Sequence, residues 1–127
     1  MPPLDSIHNF TNYPDGLLNK NCNVYANISV AVLPSLEDAL PLSIDEAMAS
    51  GIPVITTPHA GSRVVDGKSG FIVPIRDYEA IAEKLLYFYD NPSELKRMGG
   101  EARLEAGKHG WEHYASALAK IYAEALP

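Results

Sequence analysis

The sequence predicts an α/β protein in which a small parallel sheet is flanked by helices, and three observations predict it. Short, apolar, β-branched runs recur at residues 28–33, 53–57 and 71–75, as in strands covered on both faces. Segments with apolar residues at helical spacing alternate with them. The order is strand, helix, strand, loop, strand, helix, helix, helix, which suits a parallel sheet with right-handed crossovers.

The elements follow in chain order. Residues 1–23 are polar and irregular, with a turn signal at Pro14-Asp15-Gly16. Ile28-Ser29-Val30-Ala31-Val32-Leu33 is the first strand, ended by Pro34. A loop leads to a helix over 43–50, stopped by Gly51, with Ile44, Ala47 and Met48 on one face. Pro53 to Thr57 is the second strand, and a loop rich in turn residues runs on to Gly70. Phe71 to Ile75 is the third strand. Asp77 is placed to cap a helix over 78–89, with Tyr78, Ile81, Ala82, Leu85, Leu86 and Tyr89 as its stripe. Asn91-Pro92 breaks that helix, Ser93 is placed to cap the next to about Ala106, and a last helix spans 111–126. Its apolar face, Trp111, Tyr114, Ala115, Leu118, Ile121, Tyr122 and Ala125, is core or a docking face. Three strands leave two open edges, so the sheet reads as part of something larger or as one member of an oligomer.

Composition narrows the function. The chain has 127 residues, one domain at about 150 residues each. Net charge is −6, which argues against a nucleic-acid partner and against electrostatic binding to a membrane surface. The single cysteine, Cys22, allows no intrachain disulfide and no cysteine-based zinc site, and a reducing compartment is the simplest setting. No signal peptide or transmembrane run is legible, so the matches to the glycosylation pattern at Asn9 and Asn27 are read as chance and a cytoplasmic location is expected. His109 and His113 stand four apart without a third ligand in view, so no metal site is assigned. No strand ends on an aspartate, which argues against a receiver-like signalling domain.

The informative stretch runs from Pro34 to Val54. It joins the end of a buried parallel strand to the start of a helix, where open α/β sheets bind their ligands. The helix start offers unpaired amides and the positive end of a dipole, suited to phosphate. Carboxylates flank it: Glu37 and Asp38 before, Glu46 after. Carboxylates accept hydrogen bonds from sugar hydroxyls, so the segment suits a nucleotide sugar. Other readings stand beside this one. Ser43-Ile44-Asp45-Glu46 is also a capping box, in which Glu46 folds back onto the Ser43 amide. Glu37 and Asp38 are also an ordinary solvated loop pair.

The segment resembles the donor-binding motif of the retaining GT-B glycosyltransferase family, glycosyl transferase group 1. That family shows a proline-serine strand end, two acids with seven residues between them, Glu-Ala-Met-Ala, then Gly and Pro-Val. Pro34-Ser35, Asp38, Glu46-Ala47-Met48-Ala49, Gly51 and Pro53-Val54 stand in those places. The resemblance continues through Val65-Asp66-Gly67-Lys68-Ser69-Gly70 to the Trp111 helix, covering roughly 12–127 and strongest over 33–77.

The resemblance implies a Rossmann-like partial GT-B C-terminal domain, with residues 24–127 as part of a nucleotide-sugar-binding domain. It implies that Glu46 binds the donor ribose, that Asp38 contacts hydroxyls of the transferred sugar, and that the amides of Ala39, Leu40, Leu42 and Ser43 face the sugar and diphosphate. Glu37, Ser35 and His59 are further candidate contacts. No cofactor is implied, the nucleotide sugar being the substrate. The sequence departs from the family at Ala39-Leu40-Pro41, where glycines are usual, and Pro41 has no N–H to donate. Arg63 stands where a glutamate is common. Residues 1–27 match neither the family's basic pair for the diphosphate nor its catalytic histidine, so catalytic residues are unassigned. The expected chain is a donor-binding part, inactive alone, completed by the missing half in cis or in trans or paired as a homodimer. The alternative is a non-catalytic binding or self-association module derived from such an enzyme.

Overall fold

The computed structural model describes residues 24–125. The readings that fall on residues 1–23, including the irregular segment, its turn, Asn9 and Cys22, lie outside the described residues. A 3₁₀ turn, Val24–Asn27, leads into β1 (Ala31–Leu33), followed by α1 (Leu42–Ala49), β2 (Val54–Thr56), β3 (Gly70–Ile72), α2 (Tyr78–Asp90), α3 (Pro92–Gly107) and α4 (Trp111–Ala125). The sheet is parallel in the order β1-β2-β3, with Ala31 opposite Val54 and Val54 opposite Gly70.

β2 is buried throughout, as its Val-Ile-Thr sequence predicts. Successive side chains of a strand point to opposite faces, so Val54 and Ile55 enter different cores. Val54 packs with Ile44, Ala47, Met48, Ile52, Val64 and Ala102. Ile55 packs with Val73, Phe88 and Met98. Burying a side chain such as Phe88 is worth about 1.5–3 kcal/mol. α3 closes both cores, through Ala102 on one side and Met98 on the other. It approaches the end of α1 so closely that a Cβ at Gly99 would stand 2.3 Å from the Gly51 carbonyl oxygen.

Several expectations are corrected. β1 is not covered on both faces: Val32 is exposed, because the strand lies at the edge of the three-stranded sheet. α1 begins at Leu42, with Pro41 at the N-cap and no side-chain capping bond, so Ser43 is not the cap. The helix still ends as predicted, with Gly51 in the left-handed region at φ +78°. Asp77 caps α2, its Oδ1 accepting from the Ala80 amide at 2.9 Å. The buried face of α2 turns on Ala82 and Phe88, while Tyr78 and Tyr89 point to solvent. α3 starts at Pro92, not after Ser93, because a first-turn proline has no N–H to leave unpaired. α4 buries none of its residues, so its apolar face is not core.

Candidate functional site

The site lies where the loops after β1 and β2 meet, at the carboxyl ends of two adjacent parallel strands. Two buried threonines tie the loops together at their base. Thr56 Oγ1 donates to the Leu33 carbonyl at 3.1 Å, and Thr57 Oγ1 donates to the Ser35 carbonyl. Farther out, the Asp38 amide donates to the His59 carbonyl at 2.9 Å. Gly61 then passes so near the first loop that a Cβ there would meet the Ala39 carbonyl oxygen at 2.3 Å. Its φ of +60° is one that L-residues rarely adopt, so glycine is required twice over.

Between the loops opens a cleft of about 570 Å³ lined by Leu36, Glu37, Asp38, Pro58, His59 and Gly61. The structure thus brings Glu37, Asp38 and His59, three of the predicted residues, to one place. Ser35 lies at its base, its carbonyl occupied by Thr57. Ala39 and Leu40 are exposed on the same loop, and Pro41 is buried as it turns into α1.

Leu42, Ser43 and Glu46 do not line the cleft but sit on the first turn and a half of α1. The first intrahelical bonds are those of the Ile44 amide, at 3.0 Å, and the Asp45 amide, at 3.4 Å, to the Pro41 carbonyl. The amides of Leu42 and Ser43 precede them, in the part of a helix where N–H groups have no intrahelical acceptor. Glu46 is exposed and does not fold back onto Ser43. Its Oε2 accepts from the Tyr25 hydroxyl at 2.6 Å, so the capping-box reading fails here because Pro41, not Ser43, holds the cap position. Burial and the Glu46 carboxylate together push the Tyr25 phenol up to about 12. The neighbouring acid, Asp45, accepts from Arg63 Nη1 at 2.6 Å in a half-exposed ion pair.

Tyr25, Thr57 and Gly61 are neighbours of the candidate site that sequence reasoning missed. Gly61 carried a signal as a loop glycine; Tyr25 carried none, since 21 residues separate it from Glu46. His109, in the turn before α4, and His113, on α4, stack edge to face with centroids 6.2 Å apart. No group of three or more His, Cys, Asp or Glu among the described residues is arranged to hold a metal. No helix among them is long and apolar enough to cross a membrane.

Comparison with known proteins meets this geometry. The profile of the family described as glycosyl transferases group 1 matches residues 9–91. D-inositol 3-phosphate glycosyltransferase of Streptomyces griseus is 40% identical over 100 residues, 77% of this chain and 21% of that protein. Among solved structures, sucrose-phosphate synthase of Thermosynechococcus elongatus superposes with a TM-score of 0.74 at 28% identity, over 80% of this chain and 26% of that one. Anabaena HepE, solved in complex with UDP-glucose, superposes with a TM-score of 0.72 at 17% identity, over 81% of this chain and 29% of that one. The chain spans about a fifth of the first relative's length, 21%.

Proposed function

The chain belongs to the glycosyl transferases group 1 family and has the fold of a partial Rossmann-like domain of GT-B enzymes, and from that premise we propose that it is the donor-binding part of a retaining glycosyltransferase, which seats a nucleotide sugar. The observation that carries the reading is the cleft at the carboxyl ends of β1 and β2, where the Asp38–His59 hydrogen bond and the close approach of Gly61 to Ala39 tie the two loops together, and which is continuous in sequence with the start of α1. In open α/β sheets that is the place for a ligand.

Each residue then has a task its chemistry suits. The Leu42 and Ser43 amides, at the positive end of the α1 dipole, receive the diphosphate. The Glu46 carboxylate accepts from the ribose hydroxyls, and Asp38, on the wall of the cleft, accepts from hydroxyls of the transferred sugar. Ala39 and Leu40 offer amides on the connecting loop, whereas Pro41 serves only to start the helix. Glu37 and His59 complete the polar wall, and Ser35 fixes the base of the loop. The substrate is the nucleotide sugar and no separate cofactor is invoked. The nucleotide sugar bound by the Anabaena relative is in keeping with this reading.

Transfer itself requires the rest of a two-domain enzyme, in cis or in trans, acting in the cytoplasm. The 127 residues alone bind donor and do not transfer it. Calorimetry with UDP, GDP and ADP tests the binding. A dissociation constant below about 1 mM, worth ~4 kcal/mol, lost in Glu46→Ala, is the expected result. Absence of binding by all three at millimolar concentration overturns it. That outcome favours the second reading, a non-catalytic module that self-associates, for which the uncovered apolar face of α4 speaks.

A further inference from the structure

α1 carries two adjacent acids, and the fold treats them differently. Asp45 is ion-paired with Arg63, a cation that offsets its charge. Glu46 accepts from Tyr25, a neutral donor. The Tyr25 ring is not free to follow Glu46. It packs against the core formed by Ile44, Ala47, Met48 and their neighbours, from a 3₁₀ turn that precedes β1. Glu46 itself is exposed on a helix, where an unrestrained glutamate samples many rotamers.

We infer that Tyr25 is a positioning residue for the nucleotide: anchored by its ring in the core, its hydroxyl holds the Glu46 carboxylate in one orientation for the ribose diol. The inference rests on the donor-site reading above. A carboxylate offers about four acceptor positions, and the phenol takes one. The others remain for the two ribose hydroxyls, so positioning does not compete with binding. A phenol is protonated, and so a donor, throughout the neutral range.

The test is a double-mutant cycle read by calorimetry on the 127-residue chain, with UDP, GDP and ADP and their 2′,3′-dideoxy forms as probes. Tyr25→Phe keeps the ring and removes the hydroxyl. It is expected to weaken ribonucleotide binding by about five- to tenfold, as expected for a hydrogen bond to a charged group that acts indirectly. It is expected to leave dideoxynucleotide binding unchanged and to have no further effect in the Glu46→Gln background. A second measurement uses no ligand: the Glu46 side-chain carboxyl carbon resonance shifts on Tyr25→Phe. If Tyr25→Phe binds ribonucleotides equally well or more tightly while Glu46→Gln weakens them, the positioning role is overturned and the donor site stands. If Tyr25→Phe weakens ribo- and dideoxynucleotides alike, its role is merely structural and the inference falls. An unmoved Glu46 carboxyl resonance overturns it too. If the wild-type chain binds none of the probes at millimolar concentration, the donor reading falls and takes this inference with it.

Discussion

α1 and α4 are both amphipathic, yet they have opposite fates. α1 has eight residues and buries Ile44, Ala47 and Met48 completely against β2 and α3. α4 has fifteen and buries none; Trp111 is 79% and Ile121 61% exposed. The stripe on α4 is the longer of the two. An apolar stripe states that a face gains by being covered, but it does not say what covers it. α1 connects two consecutive, directly paired parallel strands, so its partners come with the connectivity. α4 follows the last packed helix through Gly107 and Gly110 and has no such constraint.

The contrast can be broken by mutation, beginning with the largest effect. Met48→Ala should cost about 2–5 kcal/mol, since it leaves a cavity in a closed core. Chemical denaturation measures this, and a loss below about 1 kcal/mol would show that the α1 core is loosely packed. Gly99→Ala should cost about 1–3 kcal/mol, because the added methyl meets the Gly51 carbonyl backbone and only a shift of α3 away from α1 can admit it. Asp77→Ala, which removes the cap of α2, should cost about 1 kcal/mol.

Trp111→Ala supplies the opposing arm. It should change the unfolding free energy of the chain by no more than about 0.5 kcal/mol. A larger loss would mean that α4 packs on the body or on a second copy, and repeating the measurement at several protein concentrations separates the two. Hydrogen exchange sharpens the same point. A helix of this length that buries none of its residues is marginal in water, so α4 amides should exchange faster than those of α1 and β2.

The smallest effect is alkaline. The Tyr25 phenol titrates above its ordinary 10.0, at about 12, so its contribution to stability is complete below pH 10 and is lost as pH rises through 12. The difference in stability between wild type and Tyr25→Phe should therefore shrink across that window. It is a small difference, because the pair is largely solvated. A difference that stays constant with pH would show that the hydroxyl has no part in it.

The place of the candidate site in the chain was legible because local rules decide it. The Pro34-Ser35 strand end, the acids at 38 and 46 and the Gly51 stop are short-range signals, and all of them fall between the end of β1 and the start of β2. What failed in detail also has local causes. Pro41 outcompeted Ser43 for the start of α1, and Pro92 outcompeted Ser93 for the start of α3. Pro92, at the first helical position, is preorganised there by its fixed φ near −65°, whereas a serine cap must still form its bond.

By itself, the amino-acid order determined the α/β alternation, the parallel character of the sheet, the buried faces of α1 and β2 and the identity of the acids, since periodicity and turn chemistry act over a few residues. Tertiary structure alone decided which loop meets which. The pairing of Asp38 with His59, Gly61 with Ala39, Arg63 with Asp45 and Tyr25 with Glu46 depends on strand register. It also decided that, among the described residues, β1 lies at the edge of the sheet and α4 buries none of its side chains. Those outcomes depend on contacts between segments far apart in the chain, and no spacing within a segment encodes them.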